Sequence, residues 1–292
     1  MWAIAINPTS GHGKGSSVAE EVIAYFSQSG ISYQVFSAQS AQQLRLHLES
    51  YLDTEECEGI ISVGGDGLAH LILQVAVPRH IPFAIMPAGT GNDIVRSLGW
   101  SLSDIRGYLS RVLSEPAQPV DLGNVDNEWF AAILSTGFDS LVNERANTLS
   151  WPKGPQRYNA AIALELPRFR PRTYEITLDT HSFTTEAMLI AIGNGKSYGG
   201  GMYICPQAHM NDGLFDVIIL EPVSKFEFLK VFPSVYSGTH ISHPKVKSFR
   251  SRRVSIIADA IAYADGERIG PAPISAECIR DAALTWLSLI HI

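Results

Sequence analysis

The chain predicts an α/β protein with a β-rich second half: a doubly wound, three-layer α/β domain, then a mostly antiparallel β-sandwich. Three observations predict it. Strand-like and helix-like stretches alternate from residue 1 to about 115, the pattern of a parallel sheet covered by helices. Three of the early strands run straight into glycine-rich turns. From about residue 117 the signals are mainly strands with spaced turns, which suit a sandwich. The expected domains are 1–116 and 117–292, with the C-terminal segment free to pack back on the first.

The elements follow in order. Trp2–Ile6 is a strand. Ser16–Ser29 carries Val18, Val22, Ile23 and Phe26 at helical spacing, and Gly30 stops it. Ile31–Phe36 is a strand, and Ala41–Leu52 a helix with Leu44, Leu48 and Leu52 along one stripe. Gly59–Val63 and Phe83–Met86 are strands; Leu68–Val75 and Ile105–Leu113 are helices. After Pro116 the expected strands are Trp129–Leu134, Tyr174–Leu178, Ala187–Ile192, Phe215–Leu220 and Val254–Ala258. Helical stretches at Gln156–Leu164 and Lys225–Tyr236 interrupt them. The end of the chain reads either as a closing hairpin or as a helix over Ala282–Leu289.

Val63-Gly64-Gly65-Asp66-Gly67-Leu68 organises the first half. It joins a strand to a helix through three glycines in four positions, so backbone can approach a ligand closely. A helix N-terminus after such a turn favours anions. Asp66 suits a metal ion or the orientation of a donor; the plainer reading is a strand-to-helix turn with a capping Asp. Asn7-Pro8-Thr9-Ser10-Gly11 follows the first strand, and Pro87-Ala88-Gly89-Thr90-Gly91-Asn92-Asp93 follows the fourth. Three such turns at the carboxyl edge of a parallel sheet form a nucleotide cradle, so the first domain reads as nucleotide-binding. No GxxxxGK[ST] pattern is present.

Composition narrows the field. The 292 residues are 46% hydrophobic and 17% charged, enough for a sizeable core. A net charge of −7 argues against nucleic acid as a partner. Three cysteines, Cys57, Cys205 and Cys278, suit a reducing cytoplasm and lack zinc spacing. The nine histidines show no ligand spacing. No run is long enough to span a bilayer and no leader is visible.

The motifs GGDG, PAGTGND and NPTSG, with Gly238-Thr239-His240-Ile241-Ser242-His243-Pro244-Lys245-Val246 and Asp265-Gly266-Glu267, together resemble the diacylglycerol kinase catalytic domain family. That family includes bacterial lipid kinases and sphingosine kinases. The resemblance covers Asn7 to about Glu267. It implies ATP- and Mg2+-dependent phosphorylation of a lipid hydroxyl by a cytoplasmic enzyme that visits the membrane surface, and it leaves a homodimer open. It places ATP on Asn7, Pro8, Thr9, Ser10 and Gly11, on Gly64, Gly65, Asp66, Gly67 and Leu68, and on Gly89, Thr90, Asn92 and Asp93, with Ser37 near. Thr90 reads alternatively as a helix N-cap. It makes Glu267 the proton acceptor, with Asp265 supporting it or a metal; from residues alone, Asp-Gly here is a hairpin turn. It also implies a structural Mg2+ on Asp212 and the carbonyls of His209 and Leu214, where the local reading is a plain turn. The chain departs from the family at Leu68, where a Thr is usual, and at Leu71, where many relatives carry Glu.

Residues 243–253 hold five Lys or Arg and no acid, and Arg168, Arg170 and Arg172 form a smaller cluster. Either this is a charged edge strand that resists aggregation, or it is a surface drawn to anionic lipid. Two rival functions stand beside the lipid kinase. A kinase of a soluble alcohol, such as an NAD kinase, predicts a polar acceptor and activity without vesicles. A non-catalytic lipid- or nucleotide-binding protein, favoured by Leu68, predicts binding without turnover.

Overall fold

A computed structural model describes residues 1–149, 151 and 155–288, with the side chains of 155–159 left aside. Two compact units emerge: Met1–Leu122 together with the chain from Arg280 onward, and Gly123–Ile279.

In the first unit, β1 (Trp2–Ile6), α1 (Lys14–Gln28), β2 (Tyr33–Phe36), α2 (Ala41–Leu52), β3 (Gly59–Gly64), α3 (Asp66–Ala76), β4 (Phe83–Pro87), α4 (Asp93–Ser97) and α5 (Ile105–Ser114) alternate as expected. The strands form one parallel sheet in the order β2-β1-β3-β4. The order reverses direction at β1, so the loops after β1 and β3 part around a switch point, where such sheets bind ligands. Every residue of β1 and β3 is buried, because helices cover both faces. One face packs Val18, Val22 and Phe26 of α1 and Tyr108, Leu109 and Val112 of α5. The helix α4 was anticipated only through the alternative reading of Thr90 as a helix N-cap; five residues are too few to show a period.

The second unit begins within β5 (Gln118–Val125) and continues through β6 (Glu128–Phe130), β7 (Ile133–Gly137), α6 (Phe138–Thr148), α7 (Pro155–Glu165), β8 (Arg172–Leu178), β9 (His181–Ala187), β10 (Leu189–Gly193) and β11 (Phe215–Leu220). Then come α8 (Lys225–Val231), β12 (Val246–Ser251), β13 (Arg253–Ile257), β14 (Ile261–Ala264), β15 (Glu267–Pro271) and β16 (Ile274–Thr285). Two sheets result, β12-β11-β10-β7-β14-β15 and β6-β5-β16-β13-β8-β9. Their facing sides share one core: Leu134, Ile190, Phe215, Val217 and Ala262 from the first, and Phe130, Tyr174, Ile176, Val254 and Ala276 from the second. This is a sandwich, with alternate residues of each strand turned inward.

Three local expectations are corrected. Trp129–Leu134 is two strands, because Ala131 and Ala132 turn their N–H groups to a carboxylate rather than to a neighbouring strand. Lys225–Tyr236 is not one helix: α8 ends at Val231 and a 3-10 turn, Phe232–Ser237, follows, since Pro233 cannot continue an α-helix. The chain end is neither a hairpin nor a helix over its described part, and Leu289 lies outside the described residues. Instead β16 is a single strand of 12 residues, bent at Asp281, where φ is +51° and the N–H donates to the Asp121 carboxylate at 2.9 Å.

Both β5 and β16 carry the chain from one unit into the other. Past the bend, β16 completes the first unit. The Thr285 hydroxyl donates to the Phe83 carbonyl at 2.6 Å, and the Trp286 ring lies 6.0 Å from that of Trp2. The Trp286 indole donates to the Glu115 carbonyl at 2.9 Å, while its own carbonyl accepts from Trp100 at 2.6 Å.

Candidate active site

The turn after β1 is wound by Asn7. Its side-chain oxygen accepts from the Thr9 N–H at 3.2 Å and the Thr9 hydroxyl at 2.9 Å, and its N–H reaches back to Val63 at 3.0 Å. Ser10 closes the turn through its hydroxyl on the Asn7 carbonyl, and Pro8 receives the Ser16 hydroxyl. Gly11 has φ +54°, and a Cβ there would lie 2.4 Å from the Ala88 carbonyl oxygen. Only glycine lets the β1 turn rest on the β4 turn. Ser37 is exposed just beyond the end of β2.

The β3 and β4 turns press together in the same way. A Cβ on Gly89 would fall 2.4 Å from the Cα of Gly65. The Asn92 side chain both accepts from the Gly89 N–H at 2.8 Å and donates to its carbonyl at 2.9 Å. Asp66 crosses between the turns, accepting from the N–H of Asn92 at 2.8 Å and of Ile94 at 3.3 Å. It therefore caps α4 from another element, because Asn92, in the helix N-cap position, makes no side-chain cap. Thr90 is not the cap; it stands exposed at the tip of its turn, as Gly67 does on the β3 turn. Asp93 opens α4 and is buried. Leu68 is buried, its side chain folded over Gly64, so it fills core instead of covering the rim.

Two cations escaped the sequence reading. Lys14 opens α1 and is exposed, and Arg96 donates to the Gly91 carbonyl at 3.3 Å, inside the Thr90 turn. Their signal was present, since each is a basic residue within a few positions of a glycine turn.

In the second unit, Asp265 and Glu267 separate in role. Asp265, at φ +52°, accepts from the N–H groups of Ala131 at 2.8 Å, Ala132 at 2.8 Å and Ile133 at 3.2 Å. Its carboxylate is buried and engaged through both oxygens, so its part is to pin the β14–β15 turn rather than to hold a metal. Glu267 opens β15 and is exposed. Glu144 of α6 braces the same hairpin, accepting from Tyr263 at 2.9 Å and from Arg268 at 2.8 Å. Burial and the Glu144 bond push the Tyr263 phenol up to about 12, and the Arg268 guanidinium pulls the Glu144 carboxyl below its usual range.

The Asp212 turn already holds a cation of its own. Asp212 accepts from the Leu214 N–H at 3.0 Å and from Arg250. Arg250 stands opposite Asp216 across the β11–β12 pair, 3.8 Å from its carboxylate. Burial pushes the Asp216 carboxyl up; Arg250 counters in part. Among the described residues no group of three or more His, Cys, Asp or Glu could hold a metal. The residues as arranged do not fit a structural Mg2+: one at Asp212, with the carbonyls of His209 and Leu214, would have to displace the guanidinium. At the nucleotide rim Asp66 is engaged by the Asn92 and Ile94 N–H groups, and its part there is to hold the two turns together.

The basic run becomes edge strand β12 with its flanks, and acids meet all of its charges but that of Lys247, which donates to the Pro244 carbonyl. Lys245 lies 3.4 Å from Glu221, and Arg252 and Arg253 lie 3.1 and 3.3 Å from Glu277.

Comparison with known proteins agrees across both units. Residues 1–125 match the family model described as diacylglycerol kinase catalytic domain. Residues 132–287 match that described as YegS C-terminal NAD kinase beta sandwich-like domain. A diacylglycerol kinase of Mycobacterium tuberculosis (strain ATCC 25618 / H37Rv) is 35% identical over 292 residues, covering 98% of this chain and 94% of that protein. One from Bacillus subtilis (strain 168) is 28% identical, covering 87% and 84%. A crystal structure of a diacylglycerol kinase from Bacillus anthracis str. Sterne shares the fold, with TM-score 0.74 at 16% identity over 99% of this chain and 97% of that one.

Proposed function

Because the chain belongs to the diacylglycerol kinase family, we propose that it transfers the γ-phosphate of ATP to a hydroxyl of a diacylglycerol-like lipid. One observation carries the nucleotide half of this reading. Three glycine-rich turns, after β1, β3 and β4, close onto one another on the carboxyl edge of a parallel sheet, with no room for a Cβ at Gly11 or Gly89 and little at Gly65. Such a rim offers backbone N–H groups to phosphates. The residues proposed to line it are Asn7 to Gly11, Ser37, Gly64 to Leu68, Gly89, Thr90, Asn92 and Asp93. Lys14 and Arg96 add positive charge nearby. Mg2+ arriving with ATP offsets charge on the phosphates.

Glu267 is the proposed base. It takes the proton of the acceptor hydroxyl as the oxygen attacks the γ-phosphorus and ADP departs. Asp265 and Glu144 hold its hairpin and do not touch the reactants. Leu68 does not argue for a dead enzyme, because its side chain packs on Gly64 and leaves the turn's backbone in place. No described helix is long and apolar enough to cross a membrane, so the acceptor would be met at a membrane surface.

The test is ATP consumption with Mg2+ over mixed micelles of diacylglycerol, sphingoid base or phosphatidylglycerol, with NAD as the soluble acceptor. Turnover that depends on diacylglycerol and disappears in Glu267→Gln is expected. Turnover with NAD alone would establish a soluble-alcohol kinase. ATP binding without turnover on any acceptor would leave a binding protein.

A further inference from the structure

One apolar surface of the second unit is used neither by its core nor by the proposed chemistry. Helix α8 starts at Ser224, whose hydroxyl accepts from the Glu227 N–H at 3.1 Å, and the 3-10 turn Phe232–Ser237 prolongs it. Its inner side is anchored by Phe228, which meets the Phe138 ring edge-on at 5.1 Å, and by buried Val235. Its outer side is apolar as well. Phe226 is 80% exposed, Leu229 54% and Tyr236 53%, and exposed Pro233 lies between them. The spacing of three, four and three places all four along one stripe. Scattered exposed apolar residues need no explanation, but a contiguous stripe of large ones marks a contact surface.

The charges around the stripe select its occupant. Lys225 and Lys230 flank it and are exposed; the Lys225 ammonium donates to the Pro167 carbonyl and has two further N–H groups to offer. The sole acid between Lys225 and Tyr236 is Glu227, and it turns to His243 at 3.3 Å. A chain of net charge −7 thus presents a locally basic, aromatic-rich strip. A second copy of the chain would bring lysine against lysine. An anionic bilayer satisfies both features, since aromatic and aliphatic side chains enter the headgroup boundary while lysines meet the phosphates.

We propose that the α8 stripe is the surface by which this protein seats itself on an anionic membrane, with Phe226, Leu229 and Tyr236 inserted and Lys225 and Lys230 on the headgroups. The inference deepens the lipid-kinase reading by naming the surface at which the acceptor would be met.

The experiment is co-sedimentation with vesicles of phosphatidylcholine, with and without phosphatidylglycerol, run beside ATP turnover in detergent micelles. Wild type should favour the anionic vesicles. Phe226→Ala/Leu229→Ala and Lys225→Gln/Lys230→Gln should each bind them about tenfold more weakly, with unchanged melting and unchanged turnover in micelles. Arg252→Gln/Arg253→Gln should bind like wild type. Equal vesicle binding by all variants would overturn the proposal, and so would a dimer in sedimentation equilibrium that the Phe226/Leu229 pair abolishes. Absence of turnover in micelles by wild type would instead count against the kinase reading and leave the vesicle result standing on its own.

Discussion

The Asp66 carboxylate accepts the backbone N–H of Asn92 at 2.8 Å, joining two glycine turns that lie 26 residues apart in the chain. The same carboxylate reaches Ile94, so one side chain sets both the start of α4 and the spacing of the rim. Asp66→Ala should cost about 1–2 kcal/mol of stability, as a lost helix cap does. It should also weaken binding of a non-hydrolysable ATP analogue. Asp66→Asn keeps an acceptor oxygen and should fall between. Thermal melting and calorimetric titration measure both quantities; a variant unchanged in the two would show that the turns are not coupled through Asp66.

Asp265 and Glu267 are two residues apart and should fail in opposite ways. Asp265→Ala strands three N–H groups, two of them sharing a single carboxylate oxygen, and should destabilise by about 2–4 kcal/mol. Glu267→Gln removes an exposed charge, so its melting should stay within about 0.5 kcal/mol of wild type while turnover is lost. Equal melting of the two variants would contradict the division of roles.

Arg250 should act as a built-in cation. With Arg250→Ala, Asp212 and the nearly inaccessible Asp216, 2% exposed, lose their positive partner. We expect a loss of about 1–3 kcal/mol, partly restored by millimolar Mg2+, while wild-type melting does not respond to Mg2+. A wild type that melts much higher with Mg2+ would show that metal displaces the guanidinium.

Asp139, in the first turn of α6, has carboxylate oxygens shut off from solvent and without a hydrogen-bond partner. Burial pushes its carboxyl from 3.8 up to about 6. Burial, with the Asp139 charge adding to it, raises the Tyr174 phenol to about 12. A carboxyl raised on folding holds its proton more tightly in the native state. Its contribution is therefore intact below pH 4, falls as pH rises, and levels off above pH 6 at a cost of about 3 kcal/mol. Asp139→Asn should match wild type near pH 4 and exceed it at pH 7.5. Parallel stability curves from urea melts at the two pH values would refute this.

The first unit was legible because its signals are local. Strands such as Ile60–Val63 are apolar and β-branched, and glycine is needed wherever backbone meets backbone, as at Gly11 and Gly89. What the carboxylates do was not legible, because their partners are distant. Asp265 reads as half of an Asp-Gly turn until Ala131 to Ile133 are brought to it. Arg250 reads as one of a run of cations until β12 pairs with β11 and sets it opposite Asp216. Helix α6 went unseen for another reason: its polar Asn143, Glu144 and Arg145 blur the apolar period that Phe138, Val142 and Ala146 carry.

The bend at Asp281 has a consequence for the order in which the protein comes into being. Strands β1 to β4 leave the ribosome first, yet the core beneath Trp2 and Trp100 stays open on one side until Thr285 and Trp286 arrive. At ordinary elongation rates that wait is on the order of tens of seconds. During it the unfinished sheet exposes apolar surface to any chaperone or protease at hand. A ribosome stalled before β16 would release a chain with every glycine turn already made and nothing to close the sheet behind them.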